Sequence, residues 1–476
     1  ETRTSCKETS HLWKIYDDTK ALCISKKLPA DVDPYAVFGS NELNLADITV
    51  YGFDYDYTLA CYSDDMYDVI YNLAKDVLVS HWKYPKEISN LKFIPNFATR
   101  GLHYDIERGV LLKVDSFHQA QLDSVHRGLT AIGEKEALDL YGGSTLIPLH
   151  YLESKMQQLV DLFSIPEICL LCTITEHFIS NGIHYHPQIL FDDVKKAVRS
   201  IHPTMHSIVK QEVSRYLIIQ PTMPIFLERL KHSGKKLFLV TNSPYGLVNA
   251  GMSYLISPTW RELFDVVVCL AKKPSFFTDD RRPFRKYDST HKTMSWDSIT
   301  QLKCGEVYME GSVKQLQAVT GWQGKQVLYF GDHPYTDLAD VTLHHGWRTG
   351  AVIKELEDEI KIMNKTEFKA NVNWLQLLTN IIEDNTGKCH SNQELEVIQQ
   401  WTAERDRLRK TLKVHFNPQF GSMFRTYHNP TYFSRRLFRF ADIYTSSISN
   451  LCNYSLNHVF YPRRGALPHE YRYWFI

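Results

Sequence analysis

Four short clusters in this 476-residue chain carry side chains suited to handling a phosphoryl group. The first is Asp54-Tyr55-Asp56-Tyr57-Thr58. Two carboxylates spaced by two project in different directions from an extended chain. One can attack as a nucleophile while the other manages protons, and aspartate is able to accept a phosphoryl group covalently. The second cluster, Thr241-Asn242-Ser243, offers hydroxyls, an amide and main-chain N–H groups of the kind that cradle phosphate at a strand-to-helix junction. The third holds Lys273, a compact positive charge. The fourth, from Gly331 to Asp337, adds the carboxylates of Asp332 and Asp337. Several hard oxygen donors beside a phosphate suit Mg2+. Phosphoryl transfer needs chiefly positioning and charge stabilisation, and this set supplies both. Taken singly, each cluster also reads as an ordinary turn, helix cap or solvated loop. Their occurrence in this order, each directly after an apolar run, is far more specific.

Those apolar runs are the elements that must position the clusters. Residues 48–53, 236–240, 264–270 and 326–330 read as short buried strands rich in β-branched and aromatic residues, with a fifth at 349–353. Helical patterns lie between them, at 221–232 and 312–320. Near-continuous apolar strands alternating with helices predict an α/β fold, a three-layer Rossmann-like parallel sheet covered on both faces. In such a sheet, ligands bind beyond the carboxyl ends of the strands, so the four clusters should converge on one crevice. The long stretch from 61 to 220 carries amphipathic runs at 66–79 and 154–163 and a strand-like run at 109–114. Beyond about residue 375 the strand signal fades. Residues 392–413 read as a charged helix with Leu395, Ile398, Trp401 and Leu408 along one side, and 432–453 as another helix.

Length divided by ~150 residues per domain gives about three domains, with ample core and no need for disulfide or metal staples. Lys+Arg and Asp+Glu both total 54, so net charge is zero and a polyanion held by bulk charge is disfavoured. The basic run 281–286 therefore reads as a solvated loop, and no nucleic-acid partner is expected. Nine scattered cysteines indicate reduced thiols, with Cys169 and Cys172 as buried core residues on an apolar helix. No apolar run of about 18 residues supports a membrane span. Among 21 histidines, no helical H-x-x-x-H pair stands with a carboxylate in a zinc pattern.

The four clusters resemble the motifs of the haloacid-dehalogenase-like phosphatases. Gly52 through Leu59, Thr241-Asn242-Ser243 and Gly331 through Asp337 resemble more narrowly the 5′-nucleotidase branch, which includes the cytosolic purine 5′-nucleotidase and the 5′-nucleotidase domain-containing proteins. So do Arg100 through Asp105, His345 through Thr349, Gly421 through Arg425 and Phe440 through Tyr444. The likeness spans residues 35–470. It implies a discontinuous catalytic core at 46–60 and 221–375, a substrate-selecting cap at 61–220, a lead-in at 1–45 and a helical C-terminal extension at 376–476. It further implies Asp54 as nucleophile and Asp56 as general acid and base. Thr241, Asn242 and Ser243 would hold phosphate and Lys273 would brace it. Mg2+ would be bound by Asp54, the Asp56 main-chain carbonyl and Asp332, with Asp337 in support. The purine enzyme reads its base with an arginine and an aspartate four apart on a cap helix. Here those positions are Lys195 and Arg199, with His202 next on that helix, so an acceptor has become a donor and the base preference should differ. A solvated helix face remains the alternative for Lys195 and Arg199.

The function expected is Mg2+-dependent hydrolysis of a phosphomonoester, a nucleoside 5′-monophosphate above all. The alternatives are a scaffold on a retained phosphatase fold and a nucleoside phosphotransferase. A homo-oligomer is expected, with the aromatic stretch 461–474 as a candidate interface. The expected location is intracellular: the cytoplasm, with the mitochondrion as alternative because the chain begins at Glu1 rather than Met.

Overall fold

The computed structural model describes residues 10–463 and 465. At its centre is a ten-stranded sheet. Across it run Phe38–Gly39, Ile443–Thr445, Arg348–Val352, Val327–Gly331, Val50–Phe53, Lys236–Val240, Val266–Cys269, Val307–Glu310, Phe284–Asp288 and Thr293–Met294. The strands from Ile443–Thr445 through Val307–Glu310 are all parallel, and both edges are finished by antiparallel pairs. The inner strands are buried along nearly their whole length, which is why their sequences are unbroken apolar runs rather than alternating ones. The Val50–Phe53 strand lies between Lys236–Val240 and Val327–Gly331, so the carboxyl ends of three cluster-bearing strands are immediate neighbours.

After the first cluster the chain leaves the sheet through Cys61–Tyr62 and returns through Leu217–Ile218, and these two short strands pair antiparallel. Between them lie helices Asp65–Ser80, Ser164–Ser180 and Pro187–Gln211, packed on one another, and a five-stranded antiparallel sheet. The run 154–163 is not one amphipathic helix. Helix Leu149–Lys155 ends there, and Met156–Gln158 becomes an edge strand paired with His103–Asp105.

The structure also corrects the C-terminal third. Residues 432–453 form helix Tyr432–Phe440, strand Ile443–Thr445 inside the central sheet, and a 3-10 turn Ile448–Asn453. The break is fixed by Asp442. Its buried carboxylate accepts from Arg348 Nη1 at 2.7 Å, Thr349 N at 2.9 Å and Asn41 Nδ2 at 3.1 Å, which holds the following residues extended against Arg348–Val352. On helix Asn392–Val414 the buried residues are Val397, Ile398 and Trp401, while Leu395 is exposed. The N-terminal helix Ser10–Ser25 joins this layer: Leu12 and Tyr16 bury against Trp374 and Trp401, with Tyr16 stacked on Trp401 at 5.9 Å between ring centroids. Part of the basic run 281–286 lies in strand Phe284–Asp288, paired between Val307–Glu310 and the edge strand Thr293–Met294. All described cysteines are free thiols, and no helix among the described residues is long and apolar enough to cross a membrane. Most of the aromatic stretch 461–474 lies outside the described residues.

Candidate active site

Each cluster is shaped by local hydrogen bonds at a strand end. Asp54 N donates to Phe330 O of the neighbouring strand at 2.8 Å, and the chain then closes a tight turn in which Leu59 and Ala60 donate to Tyr55 O. The Thr241 turn is closed by Ser243 N donating to Thr241 Oγ1 at 3.0 Å. Asn242 and Lys273 are tied twice, Asn242 Nδ2 to Lys273 O at 3.0 Å and Lys273 N to Asn242 Oδ1 at 2.6 Å. The fourth cluster ends in a π-helical turn, Pro334–Ala339, capped by His333 Nδ1 accepting from Tyr335 N and Thr336 N. That turn folds Asp337 over Gly331. A Cβ at Gly331 would stand 2.3 Å from the Asp337 Cβ, so no side chain fits there.

These loops bring carboxylate oxygens of Asp54, Asp332 and Asp337 within 4.8 Å of one another, all three residues buried. Lys273 Nζ lies 2.8 Å from Asp54 Oδ1 and 2.8 Å from Asp337 Oδ1, its side chain only 4% exposed. Burial pushes the Asp54 carboxyl up to about 6, with Lys273 opposing and Asp337 adding to the rise. Burial likewise lifts Asp332 well above the usual carboxylate range. Burial works against the Lys273 charge, and Asp337 and Asp54 more than restore it. Ligands about 2.1 Å from one Mg2+ ion lie roughly 3–4 Å apart, so this all-oxygen, anionic donor set fits a hard divalent cation.

Asp56 faces the other way. Tyr62 Oη donates to its Oδ1 and Ser243 Oγ to its Oδ2, each at 2.7 Å. Burial, then the Asp54 charge, raises its proton affinity. Sequence reasoning missed several participants. Tyr62 sits on the outgoing strand of the insertion. His206 is another: it lies one helical turn from His202, with rings 5.9 Å between centroids, both in the field of Asp56, and burial lowers the proton affinity of each. The i, i+4 spacing of this pair was legible, but the carboxylate facing it comes from a strand about 150 residues away. Arg100, fully buried, donates through Nη1 to Asp332 O at 3.1 Å, and through Nε and Nη2 to Glu355 at 3.0 and 2.6 Å. It thereby fixes the backbone of a candidate metal ligand. Arg100 stood in a quoted motif, yet nothing local signalled its partners.

The sequence profile of the 5′ nucleotidase family matches residues 37–472. The chain belongs to this family. It is similar to 5′-nucleotidase domain-containing protein 2 of Rattus norvegicus, 44% identical across 98% of this chain and 86% of that protein. The Homo sapiens protein of the same name is 44% identical across 94% of this chain and 88% of its own length. A 5′-nucleotidase domain-containing protein of Dictyostelium discoideum is 38% identical across 97% and 79% respectively.

Within this 5′ nucleotidase family member, the three helix positions expected to read a base separate. Lys195 Nζ donates to Gln157 Oε1 at 2.8 Å and lies over the Phe191 ring. Arg199 is exposed, and His202 is half-buried toward Asp56. Lys195 and Arg199 both act on Glu167 of the neighbouring helix, whose carboxyl burial pushes up to about 7.

Proposed function

We propose that the chain is a Mg2+-dependent phosphomonoester hydrolase acting on nucleoside 5′-monophosphates, built as a haloacid-dehalogenase-like core with residues 61–220 as its cap. Family membership supports a phosphomonoester-hydrolysing enzyme. The observation that carries the reading is the convergence of Asp54, Asp332 and Asp337 around Lys273 at the carboxyl ends of adjacent parallel strands.

In this reading an Asp54 carboxylate oxygen attacks phosphorus and the bond to the ester oxygen breaks. Asp56 passes its proton to the departing oxygen, and its raised proton affinity suits that task. The aspartyl-phosphate on Asp54 is then hydrolysed. Asp56 takes a proton from water, the water oxygen bonds to phosphorus, and Asp54 is released. Lys273 and the Thr241 hydroxyl hold phosphoryl oxygens, with Ser243 steadying Asp56 and Asn242 bracing the Lys273 backbone. Asp54, the Asp56 carbonyl and Asp332 would hold Mg2+, with Asp337 in support. Bound there, the ion would neutralise phosphate charge and orient it for in-line attack. The direct test assays the purified protein with Mg2+ against a panel of phosphomonoesters beside Asp54→Asn. Turnover of nucleoside monophosphates abolished by the substitution is the expected result. Indistinguishable proteins on every substrate would reject it, and Mg2+-dependent beryllofluoride binding without turnover would favour a scaffold.

A further inference from the structure

The reading above leaves one side-chain pair without a task, His202 and His206 on helix Pro187–Gln211. That helix buries Val194, Val198, Ile201, Met205 and Val209, and the two histidines flank this apolar face one turn apart. Both are half-buried, and neither has a hydrogen bond or ion pair among the described residues. A neutral imidazole carries one N–H donor and one bare nitrogen. Here the fold supplies a partner for neither, on two rings that face each other.

Their geometry suits a shared ion. Two Zn–N bonds of about 2.1 Å at a tetrahedral angle set the imidazole centroids roughly 5–6 Å apart. The His202 and His206 rings stand 5.9 Å apart, tilted by 55°. Burial favours the neutral form of each ring, which is the form that can ligate. The nearby acids favour a cation: Asp56 acts on both rings, and Asp161 acts on His202. Lys210 opposes them at His206, but it is exposed and screened by water. The run His202-Pro203-Thr204-Met205-His206 contains no acid of its own, so its zinc pattern is incomplete in the sequence. The acids arrive through the fold, from the strand end that carries Asp56 and from the segment before helix Ser164–Ser180. His344 and His345 form a contrasting pair: they are adjacent in the chain, and His345 Nε2 already meets Phe277 O at 2.7 Å.

We propose that His202 and His206 form a Zn2+ site, with one nitrogen of each imidazole as ligand and water in the remaining positions. Imidazole suits Zn2+, whereas the all-oxygen set of Asp54, Asp332 and Asp337 suits a harder ion, so the two sites sort different metals. The zinc site does not rest on the hydrolase reading, although it lies beside Asp56.

The full-length protein, in excess Mg2+ and beryllofluoride to occupy the Asp54 cluster, is titrated calorimetrically with Zn2+. Binding of one equivalent is expected, weakened about tenfold or more by His202→Gln and by His206→Gln. His344→Gln removes an exposed histidine from another helix and should change nothing. Co2+ in place of Zn2+ should give the visible absorption of a nitrogen-ligated tetrahedral ion, lost in either variant of the pair. If one of these variants does not fold, the other decides. Absence of Zn2+ binding, or binding and Co2+ absorption unmoved by the substitutions, overturns the proposal. The readout is metal binding, so a failure of turnover on every phosphomonoester would reject the hydrolase reading and leave this result standing.

Discussion

Lys273 stands 2.8 Å from two carboxylates, so its charge bears on the ionisation of Asp54, the proposed nucleophile. Lys273→Met should lower kcat by about 10²–10³ through lost charge stabilisation. The sign of its pH effect follows from the field. Lys273 opposes the burial that lifts Asp54 to about 6, so removing it raises Asp54 further. Because the attacking form is the anion, the acid limb of the kcat/KM profile should move to higher pH, measured at one fixed Mg2+ concentration. Asp56→Asn should cost about 10²–10⁴ in kcat while aspartyl-phosphate still forms from a substrate with a good leaving group, which rapid acid quench would detect. At this scale the legible residues were those contiguous with an apolar run: Asp54, Asp56, Thr241, Asn242, Lys273, Asp332 and Asp337. Arg100 and Tyr62 were illegible as participants because their partners arrive through tertiary folding, with Arg100 and Glu355 separated by 255 positions.

Elements place these residues only as well as their ends are fixed. Gly331 ends its strand under Asp337, so Gly331→Ala forces the π-helical turn away from the sheet. Overpacking of this kind costs about 1–3 kcal/mol. Magnesium affinity, read by titration calorimetry, should fall at least tenfold, with a lower midpoint of thermal unfolding. Asp442 is the corresponding pin at the other end of the sheet. Asp442→Ala leaves Arg348 and the Thr349 N–H without their acceptor, and urea denaturation should report a loss of about 1–3 kcal/mol. The sheet's site strands were readable because burial on both faces leaves no polar alternation to confuse. Ile443–Thr445 was not, since three residues are too few to show a period and their neighbours on both sides favour helix and turn. Likewise 154–163 carries enough apolar residues for a helical face, and only pairing with His103–Asp105 decides for a strand.

Across the whole molecule, chain ends and middle share duties that a linear reading assigns separately. The N-terminal helix completes a helical layer built by residues some 360–390 positions later, around Tyr16, Trp374 and Trp401. Trp401→Ala should therefore lower stability by about 3–5 kcal/mol while leaving kcat/KM of the remaining folded protein unchanged, since this layer contributes no group to the Asp54 cluster. A zero net charge proved uninformative about phosphate, because charge is sorted locally into a carboxylate cluster around Lys273. The two-stranded ribbon joining the insertion to the sheet has a consequence of its own. Tyr62 is at once a rung of that ribbon and a hydroxyl donor to Asp56, and its hydrogen bond favours the anionic carboxylate. The place where the insertion leaves the sheet and the proton affinity of Asp56 therefore share one side chain, so a change at the ribbon is felt at the carboxylate.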